Sequence, residues 1–475
     1  MSPSSAVVWM LGLAAMLLGP AGCAQSLDAK RQAAKAAAPP TPSPAAGAAI
    51  AKSTGSPSGA PSLKLFNKTV IYVKDAYVDP GRIQPRRMLV AAVQAVAKVA
   101  PQLSVDATVP ERLTLSSGET SRVFDISHVD SVWKMAFKFS EIYAEMVGAL
   151  GLPDEARQLG FAASNGMLST LDPFSMLLPE ATFKGLAAAP GAAASPETLT
   201  ASLLGPGVGY VRLRSLPGQS SRELALAIED LRQRAGGTLR GAVLDLRGNT
   251  GGLLEQALRV TNAFVESGLI VTVTSLGGRQ REEKRASKAL MATDVPLVVL
   301  VDERTAAGAE VVAAALKDLD RALILGRRTG GFGTIQVLYE FGDTGGFGKA
   351  YLRLTIATMT RSSGTPLDGA GVVPDVLLVR GASQGEANAA GPSLTTGQLW
   401  GQLAALKSPR PESQERPAAE LSYAWSEPPA RTSLEAQLLD DVEVRLARDI
   451  LLRGASRKRS EMLPAAQALV AEQSR

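Results

Sequence analysis

The sequence predicts an α/β protein with a layered βαβ core, and three stretches between residues 240 and 336 carry that prediction. Each joins a short, unbroken apolar run to a sharp turn of small residues. Gly241-Ala-Val-Leu-Asp-Leu246 turns through Arg247-Gly-Asn-Thr-Gly-Gly252 into a helical pattern from Leu253 to Val265. Pro296-Leu-Val-Val-Leu-Val301 passes through Asp302-Glu-Arg304 and Thr305-Ala-Ala-Gly-Ala-Glu310 into a helix ending near Leu319. Ala322-Leu-Ile-Leu325 enters Gly326-Arg-Arg-Thr-Gly-Gly-Phe-Gly333 and leaves as a strand bearing Gln336. Unbroken apolar runs suit strands buried on both faces of a parallel sheet, and the helices between them supply the crossovers. Such sheets place their sites where strand ends turn into helix N-termini.

The chain has 475 residues, enough for more than one structural unit, and at 45% hydrophobic and 20% charged it has globular composition. Residues 1–23 read as an export signal. The apolar run Ala6–Leu18 is too short to span a bilayer. The single cysteine, Cys23, follows Ala21-Gly22 in the manner of a bacterial lipobox, whose cysteine is lipidated. Cleavage by an ordinary signal peptidase nearby is the alternative. Residues 24–62, rich in Ala, Pro, Ser and Gly, read as a flexible tether. These features predict an exported bacterial envelope protein, lipid-anchored to a membrane and facing the periplasm.

From 63 to 186 the pattern is mostly helical. Phe66, Val70, Val73 and Tyr77 share one face, as do Leu89, Val93 and Val96. Leu113-Thr-Leu115 and Val123-Phe-Asp-Ile126, joined through Ser116-Ser-Gly118, read as a hairpin. His128, the only histidine, has no Cys/His cluster around it and reads as a structural residue. Residues 187–206 read as a short Ala/Pro/Gly-rich linker. The core follows over 207–380: strand Gly209–Leu213, helix Ser221–Arg234, the three stretches above, the alternating strand Ala350–Met359, and Val372–Leu378. Residues 381–430 read as a second linker with a helical piece near Leu399–Leu406, and 431–475 as a C-terminal helical segment with an amphipathic helix over Leu434–Leu452.

No phosphate loop, dinucleotide fingerprint or metal-ligand cluster is legible, so neither cofactor nor metal is expected. The net charge of +5 is spread thinly, and the basic clusters Arg279–Lys288 and Arg453–Arg459 read as solvated faces. No nucleic-acid partner is expected. The turns carry the chemistry instead. Gly248, Gly251 and Gly252 let a ligand approach the backbone and expose N–H groups at a helix N-terminus, which suits a developing oxyanion. Thr305-Ala-Ala-Gly-Ala309 is small throughout, as a tight elbow needs, and such an elbow normally presents a nucleophile.

Four spans together resemble the carboxyl-terminal processing (tail-specific) proteases, serine peptidase family S41. They are Asp245–Gly252, Thr305–Glu310, Gly331–Gln336 and Asp368-Gly-Ala-Gly-Val-Val-Pro-Asp375, within residues 207–380. The resemblance implies a core of the ClpP/crotonase-like type and a Ser–Lys catalytic pair. The family's serine falls on Ala307, its lysine on Phe332 and its supporting glutamine on Gln336. It implies oxyanion donors at the backbone N–H groups of Gly251 and Gly308. Phe174, in Leu171-Asp-Pro-Phe-Ser-Met-Leu177, stands where the family often carries histidine. The family's PDZ domain, which captures a substrate's C-terminus, would lie where residues 187–206 leave far less than the ~50 residues that a small domain needs.

Three functional readings are open at this stage. The first is a pseudoprotease that binds or scaffolds a protein or peptide ligand. The second is an active serine-type endopeptidase using substitutes, for which Thr305, Lys317 and Lys349 are the candidates. The third is a non-peptidase enzyme or small-ligand protein on the same layered fold.

Overall fold

The computed structural model describes residues 61–150, 156–187, 198–342, 348–381, 415–423 and 433–474. The expected signal segment with Cys23, nearly all of the tether and the helical piece near Leu399–Leu406 lie outside them. Among the described residues, no helix is long and apolar enough to cross a membrane, and no group of three metal-ligating residues converges.

An N-terminal layer opens the chain. It contains helices α1 (Pro61–Ala76) and α2 (Pro85–Val99), then an antiparallel sheet of β1 (Leu103–Asp106), β2 (Arg112–Ser117) and β3 (Thr120–Asp125). Helices α3 (Val132–Leu150) and α4 (Ala156–Leu168), strand β4 (Met176–Pro179) and helix α5 (Glu180–Ala187) follow. The faces read from the sequence are the ones that pack: Phe66, Val70, Val73, Tyr77, Leu89, Val93 and Val96 are all buried. Phe66 stacks on Phe139 with ring centroids 4.0 Å apart. The expected hairpin is β2–β3. Strand β1 escapes sequence reading because its four residues bury only Leu103.

The central sheet is built from β5 (Leu199–Leu203), β6 (Val208–Leu213), β7 (Gly241–Asp245), β10 (Leu297–Val301), β11 (Ala322–Gly326), β14 (Val376–Arg380) and β15 (Ala419–Tyr423). Its order is β15-β14-β11-β10-β7-β6-β5, and every pairing is parallel except β5–β6. A second sheet contains β8 (Gly268–Ser275), β9 (Gln280–Ala286), β12 (Thr334–Phe341) and β13 (Ala350–Arg361), with β4 added to β13. Helices α6 (Ser220–Arg234), α7 (Leu254–Asn262) and α8 (Gly308–Asp318) cover one face of the central sheet, and α9 (Leu434–Asp440), α10 (Val442–Gly454) and α11 (Arg459–Gln473) follow at the C-terminus. Side-chain alternation explains the layering. On β10, Leu297, Val299 and Val301 enter the core on the α8 side, while Val298 and Leu300 enter the core shared with α10 and α11.

Four expectations need correction. Residues 187–206 are not linker throughout, since β5 pairs with β6 from Leu199↔Leu213 to Leu203↔Gly209. Residues 381–430 contain β15, paired with β14 from Val376↔Ala419 onward. The basic stretch Arg279–Lys288 is solvated as expected, but most of it is β9, the sheet's edge strand. Its alternating charges blunt that edge. The helix over Leu434–Leu452 is two helices, because Asp441 breaks the run. Its carboxylate accepts from Glu443 N at 2.9 Å and Val444 N at 3.3 Å and so caps α10.

The C-terminal helices are tied to the strand ends by a buried ionic knot. Arg247 donates to both carboxylate oxygens of Asp245 (3.0 and 2.6 Å), to Asp441 (2.9 Å) and to Glu443 (2.8 Å). Glu443, 1% exposed, also accepts from Arg327 at 2.9 Å and from the Tyr423 hydroxyl. Burial pushes the Glu443 carboxyl up, but Arg247, Tyr423 and Arg327 outweigh it and hold the group below its ordinary value. Glu443→Ala should leave two guanidiniums short of a partner and cost about 3 kcal/mol, read as a lower urea midpoint. An unchanged midpoint would mean that the helices dock by their apolar face alone.

Candidate functional site

The site lies at the C-terminal edge of the central sheet, where the turns after β7, β10 and β11 meet. Backbone hydrogen bonds knit the first two. Ala306 N donates to Asn249 O at 2.9 Å. The fully buried Asn249 side chain donates to Leu213 O at 3.0 Å and accepts from Gly251 N at 2.8 Å. Asp302 Oδ1 accepts from Gly248 N at 2.8 Å and from Thr305 N at 3.0 Å. Gly251 (φ +93°) has to be glycine: a Cβ there would stand 2.8 Å from Gly308 N and 3.0 Å from the Ala307 methyl.

Ala307 is half-buried and sits at φ 49°, ψ −116°, a conformation that non-glycine residues avoid and that costs of the order of 1–3 kcal/mol. It is the strained strand-to-helix elbow that thrusts one side chain out over the helix N-terminus. Here that side chain is a methyl group. Two N–H groups flank it, those of Gly308 and Gly252, and the Gly252 nitrogen is 3.6 Å from where a Cβ on Gly308 would stand. Neither donates to any atom of the described residues. This corrects the sequence-based assignment on one side. The Gly251 N–H is consumed by Asn249, which leaves the N–H groups of Gly308 and Gly252 beside Ala307.

Glu310 binds the elbow to the loop after β11. Its Oε2 accepts from Ala307 N at 3.0 Å and from Phe332 N at 2.7 Å, so the two backbones stand within two hydrogen bonds of each other. Its Oε1 accepts from Gly331 N at 2.7 Å and from the Thr329 hydroxyl. The carboxyl is fully buried. Burial pushes it above its ordinary value, and the hydroxyl and the three N–H donors offset that push only in part. The sequence showed Glu310 only as the one acid in a run of small residues. As third residue of the helix, it forms the reach-back half of a capping box.

Phe332 is half-buried. Its ring lies so close over Gly330 that a Cβ there would be 2.6 Å from it, and it meets Phe174 edge-on at 5.7 Å between centroids. The two aromatics that the resemblance sets at the family's lysine and histidine positions are therefore in contact. The Gln336 amide has other partners: it donates to Thr334 Oγ1 at 2.7 Å and accepts from Arg353 at 3.0 Å. Burial pulls Arg353 down to about 10, with Asp172 offsetting part of the fall. Sequence reading gave neither residue a role: Arg353 meets Gln336 only through the pairing of β12 with β13, and Asp172 comes from the Phe174 stretch, far earlier in the chain.

The substitute candidates are engaged elsewhere. The Thr305 hydroxyl is fully buried and donates to Leu246 O at 2.9 Å. Lys317, at the far end of α8, is buried and donates to Val373 O at 2.7 Å and to Glu415. Lys349 pairs with Glu340 at 2.6 Å. His128 lies between β3 and α3, in the N-terminal layer.

A layered α/β core with a strained elbow at its strand ends is the arrangement that serine hydrolases use to present a nucleophile. Comparison with known proteins finds one family: residues 207–378, a little over a third of the chain, match the model of peptidase family S41. The carboxy-terminal-processing protease of Bartonella bacilliformis is 37% identical over 174 residues, 36% of this chain and 38% of that protein. Bacillus subtilis carboxy-terminal processing protease CtpA is 32% identical over 180 residues, 38% of this chain and 37% of its own. The chain thus spans less than two fifths of the length of these relatives. Among solved structures, the photosystem II D1 C-terminal processing protease aligns at 20% identity with a TM-score of 0.44, over 66% of this chain and 92% of that one.

Strain at Ala307 gives a direct test of the elbow. Ala307→Gly should stabilise the protein by about 1 kcal/mol, the relief of a left-handed alanine less the entropy that glycine adds to the unfolded chain. The readout is the urea midpoint at constant slope, and a destabilised variant would show that the methyl is held by packing.

Proposed function

We propose that this protein is a catalytically inactive S41 homologue that binds a protein or peptide ligand in the bacterial cell envelope. One observation carries the reading: the elbow keeps its strain, with two N–H groups that have no partner among the described residues, around a residue that cannot attack a carbonyl. Backbone donors do not depend on the side chain at Ala307, so binding of a peptide carbonyl survives the loss of the nucleophile. The phenyl ring of Phe332 can carry no proton, and its contact with Phe174 puts apolar surface where a base would stand. The positions of Thr305, Lys317 and Lys349 speak against replacement chemistry.

The test is cleavage of an unfolded protein substrate. The natural sequence should show none above background, and Ala307→Ser alone should stay near it. Ala307→Ser with Phe332→Lys should rise at least roughly tenfold, since a positioned base contributes about 10²–10⁴-fold. Cleavage by the natural sequence that survives Ala307→Gly but is lost in Thr305→Ala would replace this reading with that of an active endopeptidase.

Anchoring belongs to the same proposal. The lipobox-like Ala21-Gly22-Cys23 and the tether behind it support attachment through a lipid on Cys23, with the folded body in the periplasm. Cys23→Ser should abolish acyl labelling and move the protein from the membrane fraction to the soluble one.

A further inference from the structure

Two phenylalanine rings stand at the candidate site without serving a core. Phe174 and Phe332 are both half-buried, and neither packs into the apolar cores of the described residues. Phe66, Phe124, Phe139, Phe264 and Phe341, by contrast, are all buried in those cores. What fixes the two rings is polar and local. The Phe332 N–H donates to Glu310 Oε2 at 2.7 Å, and the Phe174 N–H donates to Asp172 Oδ1 at 2.7 Å. Both carboxylates are buried, and Asp172 is held in turn by Ser175 N at 2.8 Å and by the Thr355 hydroxyl on β13 at 3.2 Å. Each ring thus rides on a loop pinned by a buried carboxylate. Apolar surface fixed in place and left partly in water gains free energy when a ligand covers it, at little cost in ordering.

The neighbouring polar groups indicate what covers the rings. Glu310 Oε2 also accepts from Ala307 N at 3.0 Å, so the elbow and the ring-bearing loop meet on one oxygen atom. Two hydrogen bonds through one atom span about 6 Å at most, which is roughly the length of two residues of an extended peptide. Beside Ala307 are the N–H groups of Gly308 and Gly252, without a partner among the described residues. Free N–H donors this close to an aromatic pair fit the repeat of a peptide, which offers a carbonyl and then a side chain. A purely apolar ligand would cover the rings and leave the donors unpaired.

We propose that Phe174 and Phe332 are the specificity-determining residues of this site, and that its ligand is an extended peptide segment bearing an aromatic side chain. A main-chain carbonyl of the segment accepts from the N–H groups of Gly308 and Gly252. The side chain of that residue, or of the next, packs on the two rings, where a third ring finds edge and face contacts. This selection presupposes the peptide binding proposed above and names the side chain that such a ligand carries.

The experiment titrates the full chain with fluorescein-labelled decapeptides of alanine and serine that carry Phe or Ala at one central position. Binding is read by fluorescence anisotropy. The Phe peptide should bind at least roughly tenfold more tightly than the Ala peptide, the discrimination that one large apolar side chain supplies. Phe332→Ala and Phe174→Ala should each remove most of that preference by weakening the Phe peptide, with the urea midpoint as the control for folding. Phe332→Leu, which keeps an apolar side chain, should show an intermediate preference. Equal affinity of the natural sequence for the two peptides overturns the selection and leaves the peptide-binding reading standing. Tighter binding of both peptides to Phe332→Ala also overturns it, because the ring would then be filling the ligand's place. Absence of binding by either peptide overturns both readings together.

Discussion

The site depends on one buried carboxylate. Glu310 joins the elbow at Ala307 to the loop at Gly331 and Phe332, two segments separated by helix α8 and strand β11. A carboxylate away from water is costly unless donors surround it, and here three N–H groups and a hydroxyl do so. Its place in the first turn of α8 adds the favourable end of the helix dipole. Since every donor except Thr329 is backbone, the side chains at 307 and 332 could change without disturbing this scaffold. The shape of the elbow is therefore independent of the side chain it carries.

The same sheet edge carries a second charged junction with another task. Asp245, Arg247, Glu443 and Arg327 lock the C-terminal helices against the ends of β7 and β11. Tyr210, on the neighbouring strand, donates to Asp245 at 2.7 Å. The turns that form the site are thereby held from behind, while Asn249 and Asp302 hold them from within. A binding site gains from such rigidity, because donors fixed in advance lose little entropy when a ligand arrives.

The second sheet links this edge to the N-terminal layer. Strand β4 pairs with β13, and the loop before β4 carries Phe174 to the ring of Phe332. Asp172 organises that loop by accepting from Phe174 N at 2.7 Å and Ser175 N at 2.8 Å. The N-terminal layer is thus in mechanical contact with the candidate cleft.

The amino-acid sequence by itself determined the local elements and the side chains that the elbow and the loop after β11 carry. Unbroken apolar runs marked β7, β10 and β11 because both faces of a central parallel strand are buried, and the glycine turns marked their C-terminal ends. The identities of Ala307 and Phe332 needed no coordinates. Elements that draw their stability from a partner were hidden: β5 and β15 lie in stretches with a linker's composition and become strands only through pairing with β6 and β14. Which N–H group is taken up internally was hidden too, since Gly251 and Gly252 are equivalent until Asn249 claims the first. The same holds for Gln336, whose amide is drawn away by an arginine seventeen residues later in the chain. Hydrogen-bond partners distant in sequence are assigned only when the chain is folded, and those assignments are what the tertiary structure decided.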